Sequence, residues 1–337
     1  MKWIAFPDRS LAVNGLAWFA ENSPELWRLP RRLKAMVRPE VWELAMQPSG
    51  GRIRFSSDTT ALGIHVSYDD ITPGHNMCTI GKAGFALYID GEFWKAAWPE
   101  GAGESEFLFF EGVERRAKEI TIYLPLYQGV RVLGIGVDEG AGVSPPRQFA
   151  VERPVAFYGS SITQGGCASQ PGMSYQAILG RMLNIDFVNL GFSGEGRGEP
   201  EMARAFAEID GSSFVVDFAQ NCRTVEEMRE NYGPFLTAIR ALHTDAAIVC
   251  VTPIFATSEL YDGGQRKRLS AMREVVRDAV AARWSGGDRN VRIVEGTTLI
   301  STSEGDSFVD GVHPNDLGFQ RMAERLAPVV ADALGIR

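Results

Sequence analysis

Four cysteines among 337 residues, Cys78, Cys167, Cys222 and Cys250, stand far apart, with no Cys-x-x-Cys and no Cys/His cluster. That spacing argues against structural zinc and offers no disulfide framework, so free thiols in a reducing compartment are expected. Histidine is equally scarce, at four residues, which shortens the search for a general base. No apolar run approaches the ~20 residues that span a bilayer. The opening MKWIAFPDRSLAVNG breaks at Pro7-Asp8-Arg9 before an apolar leader segment can form, so a cytoplasmic protein without a membrane partner is expected. Excess basic charge is missing too: 34 Lys and Arg face 42 Asp and Glu, a net charge of −8, which argues against nucleic acid as a partner.

What is present divides into two grammars, and a chain of this length is expected to hold two domains. From Arg52 to about Val137 the apolar period is two. Ile53 and Phe55 alternate with Arg52, Arg54 and Ser56, and Leu62, Ile64, Val66 and Tyr68 alternate through the next stretch. Phe85, Leu87 and Ile89 run into Asp90-Gly91, a hairpin signal. The sets Ile120, Ile122, Leu124 and Leu133, Ile135, Val137 repeat the pattern. Short strands with turn signals and little helix point to an antiparallel β-sandwich or jelly roll. The first fifty residues, rich in Trp and Arg, show no clear period. The expected linker is EGAGVSPPRQ, 139–148, where Gly and a Pro pair interrupt the pattern. The expected domains are therefore a sandwich over 1–148 and a second unit over 149–337.

From Val155 apolar strands at 185–190, 213–219, 246–251 and 291–296 alternate with helical segments. Tyr175, Ile178, Leu179 and Met182 share one helix face. Thr224 with Glu227 reads as a capping box, Leu269, Met272, Val276 and Val280 mark a long helix, and 317–334 form the last one. Such alternation implies an α/β unit with a parallel sheet flanked by helices.

The stretch VAFYGSSITQG, 155–165, ends a buried strand in Gly159 and two serines. Ser161 is the candidate nucleophile, and a serine hydroxyl needs a base to take its proton. His65 lies in a strand alternation, His75 in a loop without a motif partner, and His243 at a helix end. His313 lies in DGVHP, three residues after Asp310. On a tight loop that spacing can bring the carboxylate to Nδ1 and leave Nε2 for the serine. For an isolated Asp-x-x-His a solvated turn is the simpler reading; beside the serine strand the catalytic one is favoured. Oxyanion donors are then needed, and the candidates are the Ser161 N–H, Gly191 after one strand and the Asn221 amide after the next. A turn glycine and a helix cap are the plain alternatives for the last two.

Those segments, VAFYGSSITQG, NLGFSG (189–194), DFAQN (217–221) and DGVHP (310–314), resemble the blocks of the SGNH, or GDSL-type, esterase and lipase superfamily. The resemblance covers roughly 150–337. It implies a flavodoxin-like parallel sheet, a Ser161–His313–Asp310 triad, an oxyanion hole from Ser161, Gly191 and Asn221, and no metal or other cofactor. Ser160 stands where the family has Asp, Ala219 replaces a Gly and Cys222 an Asp, differences that bear on the pocket floor rather than on the nucleophile. The stretch GFALYIDGEFW, 84–94, is similar to the GxDLY signature of two-domain bacterial members with an N-terminal sandwich; Gly84, Leu87 and Tyr88 are retained and Ala86 replaces the acid.

The activity implied is ester hydrolysis through an acyl-enzyme. The expected substrate is a small-molecule or oligosaccharide ester, with a short acyl group such as acetyl on a sugar preferred. An acyltransferase on the same machinery, or a carbohydrate-binding protein using Trp94 and Trp98, are the alternatives. The loop 72–84 is expected to rim the site through His75 and Met77. Oligomeric state is left open by the sequence.

Overall fold

The structure, a computed structural model, describes residues 1–72 and 74–336. Pro73, in the expected rim loop, lies outside the described residues. Among the described residues the first half holds ten strands: β1 Lys2–Ala5, β2 Ala12–Asn14, β3 Arg52–Ser57, β4 Leu62–Tyr68, β5 Phe85–Ile89, β6 Glu92–Ala97, β7 Gly103–Phe110, β8 Lys118–Tyr123, β9 Arg131–Val137 and β10 Val143–Ser144. They pair antiparallel as β1-β9-β4-β7 and as β10-β3-β8-β5-β6, with β2 added on β3. The alternating residues Ile53, Phe55, Ile64, Val66, Phe85, Leu87, Ile120, Ile122 and Ile135 meet in one buried cluster between the sheets. A period of two puts every second side chain on the same face, so this is the sandwich that the pattern required. Asp90 and Gly91 both take positive φ, as the tight β5–β6 hairpin demands.

The second half is built on β11 Val155–Gly159, β12 Phe187–Gly191, β13 Ser213–Asp217, β14 Ala247–Val251 and β15 Val291–Val294. The strands are parallel, in the order β12-β11-β13-β14-β15. This is the flavodoxin-like order, whose switch point lies beside the first strand. Side chains alternate across the sheet. Ala156, Tyr158, Val188 and Leu190 join a cluster with the helices Pro200–Ala207, Val225–Leu242 and Gly263–Ser285. Val155, Phe157 and Phe187 join another with the helices Tyr175–Leu183 and Asp316–Leu334. Thr224 accepts from the Glu227 N–H at 3.1 Å, as its spacing predicts. Met182, expected inward, is half exposed. It sits in the last turn of a nine-residue helix, where it lines a groove shared with Arg52 and Arg54 of β3 instead of the sheet.

The segment without a period divides between the two halves: Phe6, Leu11, Leu16 and Leu26 join the cluster between the sheets, and the rest joins a core of the second half. Trp18, Leu29, Leu33, Val37, Val41, Trp42 and Ala45 pack in the same cluster as Phe206 and Phe235. The sandwich also meets that half directly: Gln170 Nε2 donates to the Tyr88 hydroxyl at 2.9 Å, and the Arg181 guanidinium lies 4.1 Å from the centre of the Tyr88 ring. No helix among the described residues is long and apolar enough to cross a membrane.

Candidate active site

β11 ends at Gly159, where a Cβ would lie 1.9 Å from Thr163 Oγ1 and 2.5 Å from the Asp217 carbonyl oxygen. Only glycine lets the chain turn that tightly against β13. Ser160 caps the one-turn helix Ser161–Gln164, its hydroxyl accepting from the Ile162 N–H at 3.2 Å. Ser161 therefore opens a helical turn at the carboxyl edge of the sheet. Its Oγ lies 2.8 Å from His313 Nε2.

His313 arrives on the loop before the last helix, and Asp310 is folded back onto it. Asp310 Oδ2 lies 2.8 Å from His313 Nδ1, while Oδ1 accepts the His313 N–H at 2.8 Å and the Val312 N–H at 3.0 Å. Partial burial works against the Asp310 carboxylate. The His313 N–H, the Asn76 amide, the His313 ring and the Val312 N–H outweigh it and hold the carboxyl well below the usual carboxylate range. An ionised Asp310 fixes the proton on Nδ1 and leaves Nε2 free to accept from Ser161. Cys167 Sγ also approaches this pair, the three donor atoms lying within 4.8 Å of one another. Burial, helped by Asp310, pushes its thiol up to about 12, so it stays protonated beside the histidine.

The oxyanion candidates divide. Gly191 is a correction: its N–H donates to Asn189 Oδ1 at 2.8 Å, its carbonyl accepts from Arg28, and a Cβ there would lie 2.2 Å from the Gln164 nitrogen. It is a close-packing glycine whose donor is already taken. The free donor of that segment is Gly194, with φ of +70° and open space around it. Among the described residues neither the Gly194 N–H nor the Ser161 N–H has an acceptor. Asn221, in a 3-10 turn after β13, donates one amide hydrogen to the Phe192 carbonyl at 2.8 Å, which ties it to the same turn and leaves its second hydrogen. The Ser193-Gly194 pair was the available signal, since a small residue followed by a glycine lets backbone N–H groups approach a ligand.

His75 and Met77 line a cavity of about 240 Å³ together with Asn76, Tyr127, Ser161 and His313. A second hollow of about 180 Å³ is walled by Ile162, Gln220, Phe255, Leu269 and Val312, three of them direct chain neighbours of Ser161, Asn221 and His313. A larger one, about 680 Å³ around Arg52, Arg147 and Arg181, lies away from the serine, so size does not locate the chemistry. His65 pairs with Glu104 at 3.2 Å and His243 reaches the Ala207 carbonyl at 2.8 Å, both outside the site.

Several supports carried no sequence signal. Arg28 is fully buried and donates to the carbonyls of Gln47, Asn189, Gly191 and Leu44, with burial bringing its guanidinium down to about 9. Tyr127 donates to the Ser161 carbonyl at 3.1 Å. Asp217 sits buried behind the serine helix, 3.4 Å from Thr163 Oγ1 and 3.5 Å from the Tyr175 hydroxyl; burial raises its carboxyl to about 7 against those two contacts.

Residues 152–331 match the GDSL-like lipase/acylhydrolase family, and residues 1–143 match the N-terminus of SGNH-hydrolase-type esterases. A provisionally named GDSL-like lipase of Bacteroides ovatus ATCC 8483 superposes with a TM-score of 0.90 at 28% identity, covering 100% of this chain and 99% of its own. The salicylyl-acyltransferase SsfX3 from a tetracycline biosynthetic pathway superposes at 0.85, with 19% identity and the same coverage. A family two carbohydrate esterase from Clostridium thermocellum, in complex with cellohexaose, reaches 0.65 at 20% identity, covering 85% of this chain and 93% of its own. No curated protein sequence matches the chain significantly.

Proposed function

The chain belongs to the GDSL-like lipase/acylhydrolase family, and from that premise we propose that it is a serine-dependent carboxylic ester hydrolase acting through Ser161, His313 and Asp310. The observation that carries the reading is the continuous relay of two 2.8 Å contacts from Ser161 Oγ through the imidazole to Asp310. Ser161 Oγ attacks the acyl carbon as Nε2 takes its proton, and Asp310 stabilises the imidazolium that forms. The oxyanion is met by the N–H groups of Ser161 and Gly194 and by the Asn221 amide. Collapse expels the alcohol, which receives the proton from Nε2. Water, deprotonated by the same nitrogen, then attacks the acyl-enzyme, and Ser161 leaves with its proton restored.

The hollow walled by Ile162, Phe255, Leu269 and Val312 supports an acyl side on that flank, and the cavity bearing His75 and Met77 an alcohol side. About 180 Å³ exceeds what acetyl fills, since a dry cavity of ~150 Å³ holds benzene. The acyl group is therefore read as short, with acetyl at the lower end. A sugar hydroxyl on the alcohol side is supported by the cellohexaose complex of the clostridial esterase. The domains are kept as a sandwich over 1–148 and a catalytic unit over 149–337, the former lending residues to the latter's core.

The test is hydrolysis of aryl esters from acetate to hexanoate, and of acetylated sugars, by the wild type and by Ser161→Ala. Loss of at least ~10³-fold in kcat/KM on removing the hydroxyl is expected. Retained activity in that variant would overturn the reading. Product analysis with an added alcohol separates hydrolysis from acyl transfer, because the acceptor ester accumulates only in the second case.

A further inference from the structure

Among the described residues the Asp310 carboxylate has one hydrogen-bond partner from outside its own loop. Asn76, on the stretch between β4 and the short helix Thr79–Ala83, donates from Nδ2 to Asp310 Oδ2 at 2.9 Å. We propose that Asn76 is a positioning residue for the Asp310–His313 pair, so that the sandwich half completes the acyl-transfer site; this rests on the reaction proposed above.

The two carboxylate oxygens are held differently. Oδ1 takes two N–H groups from its own loop, at 2.8 and 3.0 Å, and these travel with Asp310 whatever the rest of the protein does. Oδ2 takes the His313 ring at 2.8 Å, and Asn76 is the contact that refers it to a separate part of the fold. The Asp310 side chain is 35% exposed, so without Asn76 water reaches Oδ2. The loop that carries Asn76 is tied on its far side. Cys78 Sγ donates to the Ser169 carbonyl at 3.3 Å, and a Cβ on Gly81 would lie 2.1 Å from the Ala168 carbonyl oxygen. Tyr127 donates its N–H to the Lys82 carbonyl at 2.9 Å and its hydroxyl to the Ser161 carbonyl at 3.1 Å. The amide is thus referenced to the serine turn as well as to the aspartate loop.

Two separable consequences follow from an N–H placed on the oxygen that faces the imidazole. It keeps the carboxylate oriented toward Nδ1–H, which governs kcat. It also draws charge from Oδ2, which weakens the hold on the imidazolium proton. Among the described residues, the other titratable groups lining the same cavity or close to the pair are Cys167, His75, Lys82 and Tyr127.

The experiment measures kcat and KM of the full chain on one aryl ester from pH 5 to 9, for the wild type, Asn76→Ala, Asn76→Asp and Ser161→Ala, with melting temperatures alongside. Asn76→Ala is expected to lose about tenfold in kcat, the scale of one hydrogen bond to a charged group partly replaced by water. KM stays within about twofold, and the acid limb moves to higher pH by a few tenths of a unit. Asn76→Asp moves it further, because a second carboxylate then faces Oδ2. A wild-type profile for Asn76→Ala, or an equal loss at every pH with no shift in either variant, overturns the proposal while leaving the reaction intact. Activity that survives in Ser161→Ala overturns the reaction itself.

Discussion

Asp310→Asn isolates the role of one proton. In the wild type Oδ1 accepts two backbone N–H groups, so in the variant the amide oxygen takes that place. The amide NH2 is then left where Oδ2 was, 2.8 Å from His313 Nδ1. Being a donor, it can be met only if Nδ1 gives up its hydrogen, which moves the imidazole proton to Nε2. That hydrogen then points at Ser161 Oγ, 2.8 Å away, and the base that should receive the serine proton is already protonated. Inverting this tautomer in a Ser–His–Asp triad costs ~10⁴ in rate, or ~5.5 kcal/mol at 1.36 kcal/mol per decade. Asn76 can turn its own amide to present its oxygen, so little change in melting temperature is expected. The assay is kcat/KM on an aryl ester for Asp310→Asn, Ser161→Ala and the double variant. The double variant should be no worse than Ser161→Ala, because residues acting as a unit are not additive. A loss of less than tenfold, with the melting temperature unchanged, would refute the argument.

Asp217 is buried with its carboxyl raised to about 7 from an ordinary 3.8, so the folded protein keeps a proton that the unfolded chain has lost between those values. Stability contributed by this site declines as pH rises from about 4 to about 7. Asp217→Asn should therefore raise the melting temperature more at pH 8 than at pH 4, by up to ~4 kcal/mol in unfolding free energy; equal effects at both pH values would refute it. Gly191→Ala should unfold the protein or cost more than ~3 kcal/mol, since its Cβ meets backbone at 2.2 and 2.5 Å. Gly194→Ala should cost only about 1 kcal/mol of backbone strain at its φ of +70°, with no atom in the way; chemical denaturation of both variants distinguishes them. Arg28→Ala removes a buried donor from four carbonyls, of which Leu44 keeps the Gln47 N–H, and a loss of at least ~3 kcal/mol in the same assay is expected.

Periodicity carried the architecture. Alternation through 52–137 led to two antiparallel sheets, and strand–helix alternation from Val155 led to five parallel strands, because those patterns report which face each side chain presents. It gave no purchase on residues 18–46, where Trp18, Leu29, Leu33 and Trp42 are buried by helices more than 150 residues away. Short elements have no period of their own when their partner is a surface made by other elements. The Met182 position fails for a related reason, since helical spacing says which residues share a face and not where the neighbouring sheet ends.

The site shows the same division. Ser161, His313 and Asp310 were legible because their spacing and neighbours are local: a glycine-ended strand, and a three-residue loop that returns a carboxylate to its own histidine. Gly191 and Gly194 stand three residues apart at the end of the same strand, and only the folded chain determines whose N–H is already taken by Asn189. Asn76, Arg28 and Tyr127 reach the site across 234, 163 and 34 positions of sequence. By itself the sequence determined the two folds and the three residues of the relay, because these follow from local order. Only tertiary structure decided which donors remain free and which half of the chain supports the relay, because a hydrogen bond between distant segments exists only after both have been packed against each other.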